Sequence, residues 1–271
     1  MTLPEARANA AVAGLPMYDW PHLRGATDRF WALIRDRLRG AGLQAPEHLA
    51  RDGEPEALWT DRSLVLAQTC GLPYALALHH MVALVGTPDY GLAGCPPGHY
   101  RSAIVVRRED ARERLEAFRG SAAAVNSTCS QSGFAAILAS TAPMAAGAPF
   151  FGAKTVTGSH AQSIRAVASG EAEIAAIDAV TWRLAAQSMA EAAELRVLDW
   201  TEPTPGLPLI TGQIDKACAI SAALAEAFEI LAAADRATLG IEGVVRFARA
   251  DYTPLAARFR AASEAHGLRV P

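Results

Sequence analysis

Residues 126–134 read Asn-Ser-Thr-Cys-Ser-Gln-Ser-Gly-Phe. They follow an apolar run and open a predicted helix. Ser130 is placed to cap that helix. Gly133 has no Cβ, so a ligand can approach the backbone closely. Unpaired N–H groups and the positive end of the helix dipole favour an anion here. The hydroxyls of Ser130 and Ser132, with Gln131 between them, would complete an oxyanion cradle. The same residues also fit an ordinary serine-capped helix.

A second segment, Thr157-Gly158-Ser159-His160, also ends a predicted strand and starts a helix. Ser159 and Gln162 have capping-box spacing. His160 then lies in the first turn, able to donate a hydrogen bond to a bound oxyanion. A charged histidine would meet an unfavourable dipole there, so a purely structural purpose is not evident; a surface histidine is the alternative. Asp178 closes the predicted strand 174–177, at the strand end where ligands bind in open α/β sheets. It is suited to a ligand amine, to fixing a neighbouring hydroxyl, or to capping the next helix. Two further strand ends offer Tyr18, and Gln68 with Thr69. Together with Ser159 and the 130–133 run, these form the candidate ligand-binding set.

Other chemistry finds no support. There is no nucleophile elbow, HExxH, Walker loop or GxGxxG, and no evident acid/base pair among Asp28, Asp110 and Glu173. Cys70 or Cys129 near His160 would imitate a Cys/His dyad, but no surrounding signature backs it. The four cysteines form no CxxC pair and no metal spacing, so they read as free, partly buried thiols. No cofactor, metal site or catalytic residue is expected.

The elements that must position these residues alternate. Buried strands are predicted at 10–15, 64–70, 81–85 and 103–106, with a helix at 27–39. A second series follows: strands at 122–125, 153–156, 174–177 and 195–198, with helices starting at 133 and covering 161–168 and 180–190. After a Pro/Gly-rich stretch come a strand at 209–211 and a long helix with Ile220, Leu224, Phe228 and Leu231 on one stripe. The C-terminus reads as helical. Such alternation predicts α/β layers on a mostly parallel sheet. Two strand–helix series suggest two lobes, crossed at residues 100–107 and 204–211. Lobe 1 would comprise 1–105 plus 206–271, and lobe 2 106–205. One doubly wound sheet would give a similar pattern.

The 271 residues suffice for two modest lobes. A 51% apolar and 20% charged composition with a net charge of −3 shows no basic bias toward nucleic acid. No run of 18 apolar residues spans a membrane. The N-terminus lacks a basic-then-apolar leader. The expected location is thus periplasmic if a signal was removed, and cytoplasmic if the sequence is complete.

Taken together, the segments resemble the substrate-binding proteins of phosphate/phosphonate ABC transporters, from Leu15-Pro16-Met17-Tyr18 to the 206–211 stretch. The most specific parts are Ser130-Gln-Ser-Gly133 and the run from Gly158-Ser-His160 to Asp178. Gln131 stands where a central threonine is usual. The resemblance implies a two-lobed, type II periplasmic-binding (Venus-flytrap) α/β fold with two hinge crossings. It implies a small oxyanion ligand met by serine hydroxyls, helix-start amides and His160, with Asp178 facing the ligand's organic end. It also implies an ABC permease as partner and a monomer without catalysis. The alternatives are a cytoplasmic enzyme or a ligand sensor on the same fold.

Overall fold

The computed structural model describes residues 10–269. Twelve strands follow in chain order: β1 (Val12–Gly14), β2 (Leu64–Gln68), β3 (Ala83–Asp89), β4 (His99–Tyr100), β5 (Ser102–Arg107), β6 (Ala122–Val125), β7 (Ala153–Val156), β8 (Ile174–Asp178), β9 (Leu195–Trp200), β10 (Thr204–Pro205), β11 (Leu209–Thr211) and β12 (Gly243–Val245). The chain divides into two compact units. Unit 1 comprises Met1–Thr69, Ala77–Pro88 and Leu207–Arg246; unit 2 comprises Cys70–Leu76, Asp89–Gly206 and Phe247–Pro271.

Unit 1 is built on a sheet of order β1-β2-β11-β3-β12. All five residues of β2 are buried, as their continuous apolar run demands of a strand covered on both faces. The helices Arg24–Gly40 and Ala217–Ile230 pack together and bury Ile34, Leu38, Ile220 and Leu224 fully. The apolar stripe predicted for the second of these is therefore a core face. Arg29 forks onto Asp235 at 2.6 and 3.0 Å, tying the Arg24–Gly40 helix to Ala233–Leu239.

Unit 2 carries a sheet of order β7-β6-β8-β5-β9. β7, β6 and β8 are mutually parallel, whereas β5 runs antiparallel to both β8 and β9. β11 likewise opposes β2 and β3. The sheets are thus mixed rather than mostly parallel. A parallel neighbour needs a crossover of a dozen residues or more, usually a helix. A separate ribbon pairs Tyr100 of β4 with Thr204 of β10.

Strands predicted at 122–125, 153–156 and 209–211 coincide with β6, β7 and β11. The helix predicted to start at 133 instead begins with a π turn, Gln131–Ala135, before the α-helix Ala136–Ala145. The C-terminal helix Pro254–Ala265, expected with the first lobe, packs in unit 2 on Ala136–Ala145. Phe134 and Phe259 meet edge to face at 5.9 Å within an apolar cluster that includes Leu72, Val125 and Leu138. At the end of that helix, fully buried His266 lies 3.0 Å from Thr141 Oγ1.

The other core of unit 2 centres on fully buried Phe118, packed with Ile104, Val106, Ile137 and Ile174. Phe118→Ala should cost about 3–5 kcal/mol, the usual range for removing a buried ring. Urea unfolding should show a lower midpoint at unchanged slope; a loss below ~1 kcal/mol would mean that the site collapses around the cavity.

Candidate anion-binding site

The parallel run of β7, β6 and β8 brings three carboxyl ends to one edge of the unit 2 sheet. Residues after β6 lead to Ser130–Gly133, residues after β7 lead to His160, and Asp178 ends β8. β5 enters from the same edge, because its first residue, Ser102, pairs with Asp178. Helix starts that lie apart in sequence therefore share one strand-end surface.

Ser130 is the cap of the π turn, its Oγ accepting from the Gly133 N–H at 3.0 Å. The Ala135 N–H reaches back five residues to the Ser130 carbonyl at 3.0 Å, which defines the π turn. The Gln131 N–H donates to Cys70 Sγ at 3.3 Å. The amides of Gln131 and Gly133 are thus engaged within the protein. A Cβ on Gly133 would fall 1.8 Å from Asn126 Oδ1 and 3.3 Å from His160 Cε1, so only glycine lets these groups close together.

His160 opens the helix His160–Ser169, capped by Ser159 Oγ, which accepts from the Gln162 N–H at 3.2 Å. The preceding turn is tied to β6: the Thr157 N–H reaches the Val125 carbonyl at 2.8 Å, and the Gly158 N–H reaches the Asn126 carbonyl at 3.0 Å. This docking points the imidazole across to Ser132, whose Oγ lies 2.9 Å from Nε2. His160 is partly buried, and desolvation pushes its titration down to about 4, leaving a neutral ring at neutral pH. The ring lies near the backbone of Ala176 in β8, and Nδ1 is buried without a hydrogen-bond partner.

Asp178 is buried and caps the helix Ala179–Ser188, Oδ1 accepting from the Thr181 N–H at 2.9 Å. Capping, one of its three expected roles, is therefore in place. Sequence reasoning did not select Ser102, Tyr100 or Asn126. Ser102 Oγ donates to the Ser132 carbonyl at 2.8 Å. The Tyr100 hydroxyl is close to Ser132 but completes no hydrogen bond; burial, then the nearby Cys70 and Asp178, push its titration up. Tyr100 precedes Ser102 by two residues and is held by the pairing of β4 with β10, which no local pattern signals.

Of the candidate set, unit 2 holds Ser130, Gln131, Ser132, Gly133, Ser159, His160 and Asp178. Ser159 shares the strand-end loops but faces solvent and serves as a cap. Tyr18, Gln68 and Thr69 belong to unit 1. Tyr18 is half-buried in the turn Pro16–Tyr18. Gln68 is buried at the end of β2, and fully buried Thr69 has a hydroxyl with no hydrogen-bond partner. All four cysteines are free thiols. Among the described residues, no group of three or more His, Cys, Asp or Glu side chains is placed to hold a metal ion. No single helix there is long and apolar enough to cross a membrane.

Two mixed α/β units, one with hydroxyls, an imidazole and helix starts gathered at one sheet edge, have the architecture of type II periplasmic-binding proteins, as solved structures show. PhnD1 from Prochlorococcus marinus, in complex with methylphosphonate, superposes with a TM-score of 0.72 at 13% identity, over 94% of this chain and 98% of that one. A Xanthomonas citri protein bound to ATP gives 0.71 at 15% identity, over 94% and 98%. A binding-protein component of a Pseudomonas aeruginosa phosphonate transporter gives 0.68 at 14%, over 94% and 89%. No curated protein matches in sequence. The profile of the family described as "ABC transporter, phosphonate, periplasmic substrate-binding protein" matches residues 63–255. The chain belongs to that family, whose members are transport receptors and not enzymes.

Two predictions follow from this geometry. Gly133→Ala should destabilise unit 2 by about 1–3 kcal/mol through overpacking on Asn126. Adding Asn126→Ala should recover most of that loss; strictly additive losses in thermal denaturation would place the strain elsewhere. The second concerns pH. Above the unfolded histidine value of about 6.5, His160 is neutral in both states. As pH falls from there to about 4, the unfolded chain takes up a proton that the folded chain refuses. Stability should fall across that window, and His160→Gln should show a shallower decline; parallel curves would refute it.

Proposed function

We propose that this protein is a periplasmic receptor that binds a small phosphonate- or phosphate-like oxyanion and delivers it to an ABC permease. The Ser132–His160 pair is its principal anion contact. The carrying observation is the 2.9 Å bond between Ser132 Oγ and His160 Nε2, made by an imidazole held neutral. If Nε2–H donates to Oγ, the serine proton is left for the ligand and is polarised by the bond. A neutral hydroxyl, oriented by the imidazole behind it, suits a solute that brings its own charge. Family membership supports the transport role and the periplasmic location. The receptor is proposed to act as a monomer, which light scattering would test.

The expected ligand contacts in unit 2 are Ser130, Gln131, Ser132, Gly133, Ser159, His160 and Asp178. Ser132 and His160 carry the affinity, because the Ser130 and Ser159 oxygens already cap helices. A hydrogen bond to a charged ligand is worth roughly 1.5–3 kcal/mol, and about 1.4 kcal/mol is tenfold in affinity. Ser132→Ala should therefore weaken methylphosphonate binding about tenfold or more in calorimetry, with little change in thermal stability. Unchanged affinity would leave only a capped helix. Asp178→Asn separates ligand types: a loss confined to amine-bearing phosphonates places the carboxylate at the organic end, and tighter phosphate binding places it at the anion. Thr69→Val tests the separate expectation that Tyr18, Gln68 and Thr69 contact the solute. Its hydroxyl has no partner within unit 1, so a drop in affinity would assign that hydroxyl to the ligand.

A further inference from the structure

Asn126 directly follows β6 and is half-buried. Its main chain already belongs to the site. The Asn126 carbonyl accepts the Gly158 N–H at 3.0 Å, one of the bonds that fasten the loop carrying His160. Its side chain is pressed against the π turn. A Cβ on Gly133 would fall 1.8 Å from Asn126 Oδ1 and 2.9 Å from its Cγ, and the same point lies 3.3 Å from His160 Cε1. The carboxamide and the imidazole therefore flank one backbone position, the residue after Ser132. His160 Cε1 is bonded to Nε2, the atom 2.9 Å from Ser132 Oγ. Three polar side chains thus gather at one end of the turn.

The packing of unit 2 gives Asn126 no structural reason to be there. An asparagine in a turn commonly satisfies itself by bonding a nearby backbone group through its side chain. Asn126 does not. Oδ1 is buried with no hydrogen-bond partner, and Nδ2 makes no hydrogen bond among the described residues. An unpaired buried acceptor costs about 1–3 kcal/mol, and only a glycine at 133 leaves room for it. The two ends of the carboxamide differ in one respect: Oδ1 is buried, whereas Nδ2 keeps access to solvent. With the oxygen turned in against Gly133, the planar amide must turn its NH2 group outward. Two unspent N–H donors then stand on the strand-end surface that carries Ser132 and His160.

We propose that Asn126 is a specificity-determining ligand contact, whose Nδ2 donates to a second oxygen of the oxyanion that Ser132 holds by a first. The contact rests on the proposed receptor function and deepens it. An amide nitrogen donates and does not accept, so this position selects a deprotonated oxygen and disfavours a solute that presents a hydroxyl or ammonium hydrogen there. Gly133 is kept because any Cβ would displace the carboxamide from its seat.

Calorimetry of the full chain with methylphosphonate tests the contact in wild type, Ser132→Ala, Asn126→Ala and Asn126→Asp. Asn126→Ala should weaken binding about tenfold, for one lost hydrogen bond to a charged ligand. Asn126→Asp keeps the side chain's size and an oxygen against Gly133, but it puts an acceptor where the donor stood. It should weaken binding by about a further tenfold or more. A purely structural role predicts the reverse order, because the near-isosteric change would then be the milder one. Thermal denaturation without ligand should show both Asn126 variants folded; if Asn126→Asp does not fold, the affinity of Asn126→Ala still decides. Unchanged affinity in Asn126→Ala, or a milder loss in Asn126→Asp than in Asn126→Ala, overturns the contact. If Ser132→Ala still weakens binding in that case, the receptor reading stands without Asn126. A wild-type chain that does not bind methylphosphonate overturns the proposed function, and the Asn126 contact falls with it.

Discussion

The hydrogen bond between Ser132 Oγ and His160 Nε2 joins two helix starts that lie 28 residues apart in sequence. Its existence depends on three conditions met together. The turn after β7 is fastened to the end of β6 by backbone hydrogen bonds, so the imidazole is aimed. Gly133 has no Cβ, so Asn126 and His160 can both approach the π turn. Desolvation keeps the ring uncharged, so it does not oppose the helix dipole at its own first turn. If any of these fails, the serine and the histidine become two unrelated capping-region side chains.

Strand direction explains why the bond forms on this edge of the sheet. Three parallel strands, β7, β6 and β8, must release their following segments on the same side. β6 and β7 are consecutive in the chain and adjacent in the sheet, so the loops 126–133 and 157–160 that follow them become neighbours at that edge. The antiparallel β5 then contributes its opening residue, Ser102, to the same edge. An all-parallel sheet would have placed that serine at the far end. The mixed topology is therefore part of how the site is assembled.

Much of the helix-start chemistry is already committed inside the protein. Ser130 and Ser159 cap their own helices, Asp178 caps another, and the Gln131 and Gly133 amides have partners. A cluster that reads as a many-armed anion cradle is reduced to one polarised hydroxyl and one neutral imidazole. Gln131 Oε1, Asn126 Oδ1, His160 Nδ1 and the Tyr100 hydroxyl remain buried around this turn without a hydrogen-bond partner.

Local sequence determined the parts of this protein that local physics controls. The alternation of short strand-like runs with helical stretches located β6, β7 and β11. Serine before a helix located the caps at Ser130 and Ser159, and the i, i+4 stripe of the Ala217–Ile230 helix located a core face, because cap geometry and helical period act within a few residues. The tertiary structure alone decided strand direction, the place of the C-terminal helix in unit 2, and the π turn in place of a simple α start. It alone brought Tyr100 and Ser102 beside Ser132. Each of these rests on contacts between residues tens of positions apart. Their free energies come from burial and from sheet pairing, and no window of neighbouring residues records which distant surface a strand or helix will cover.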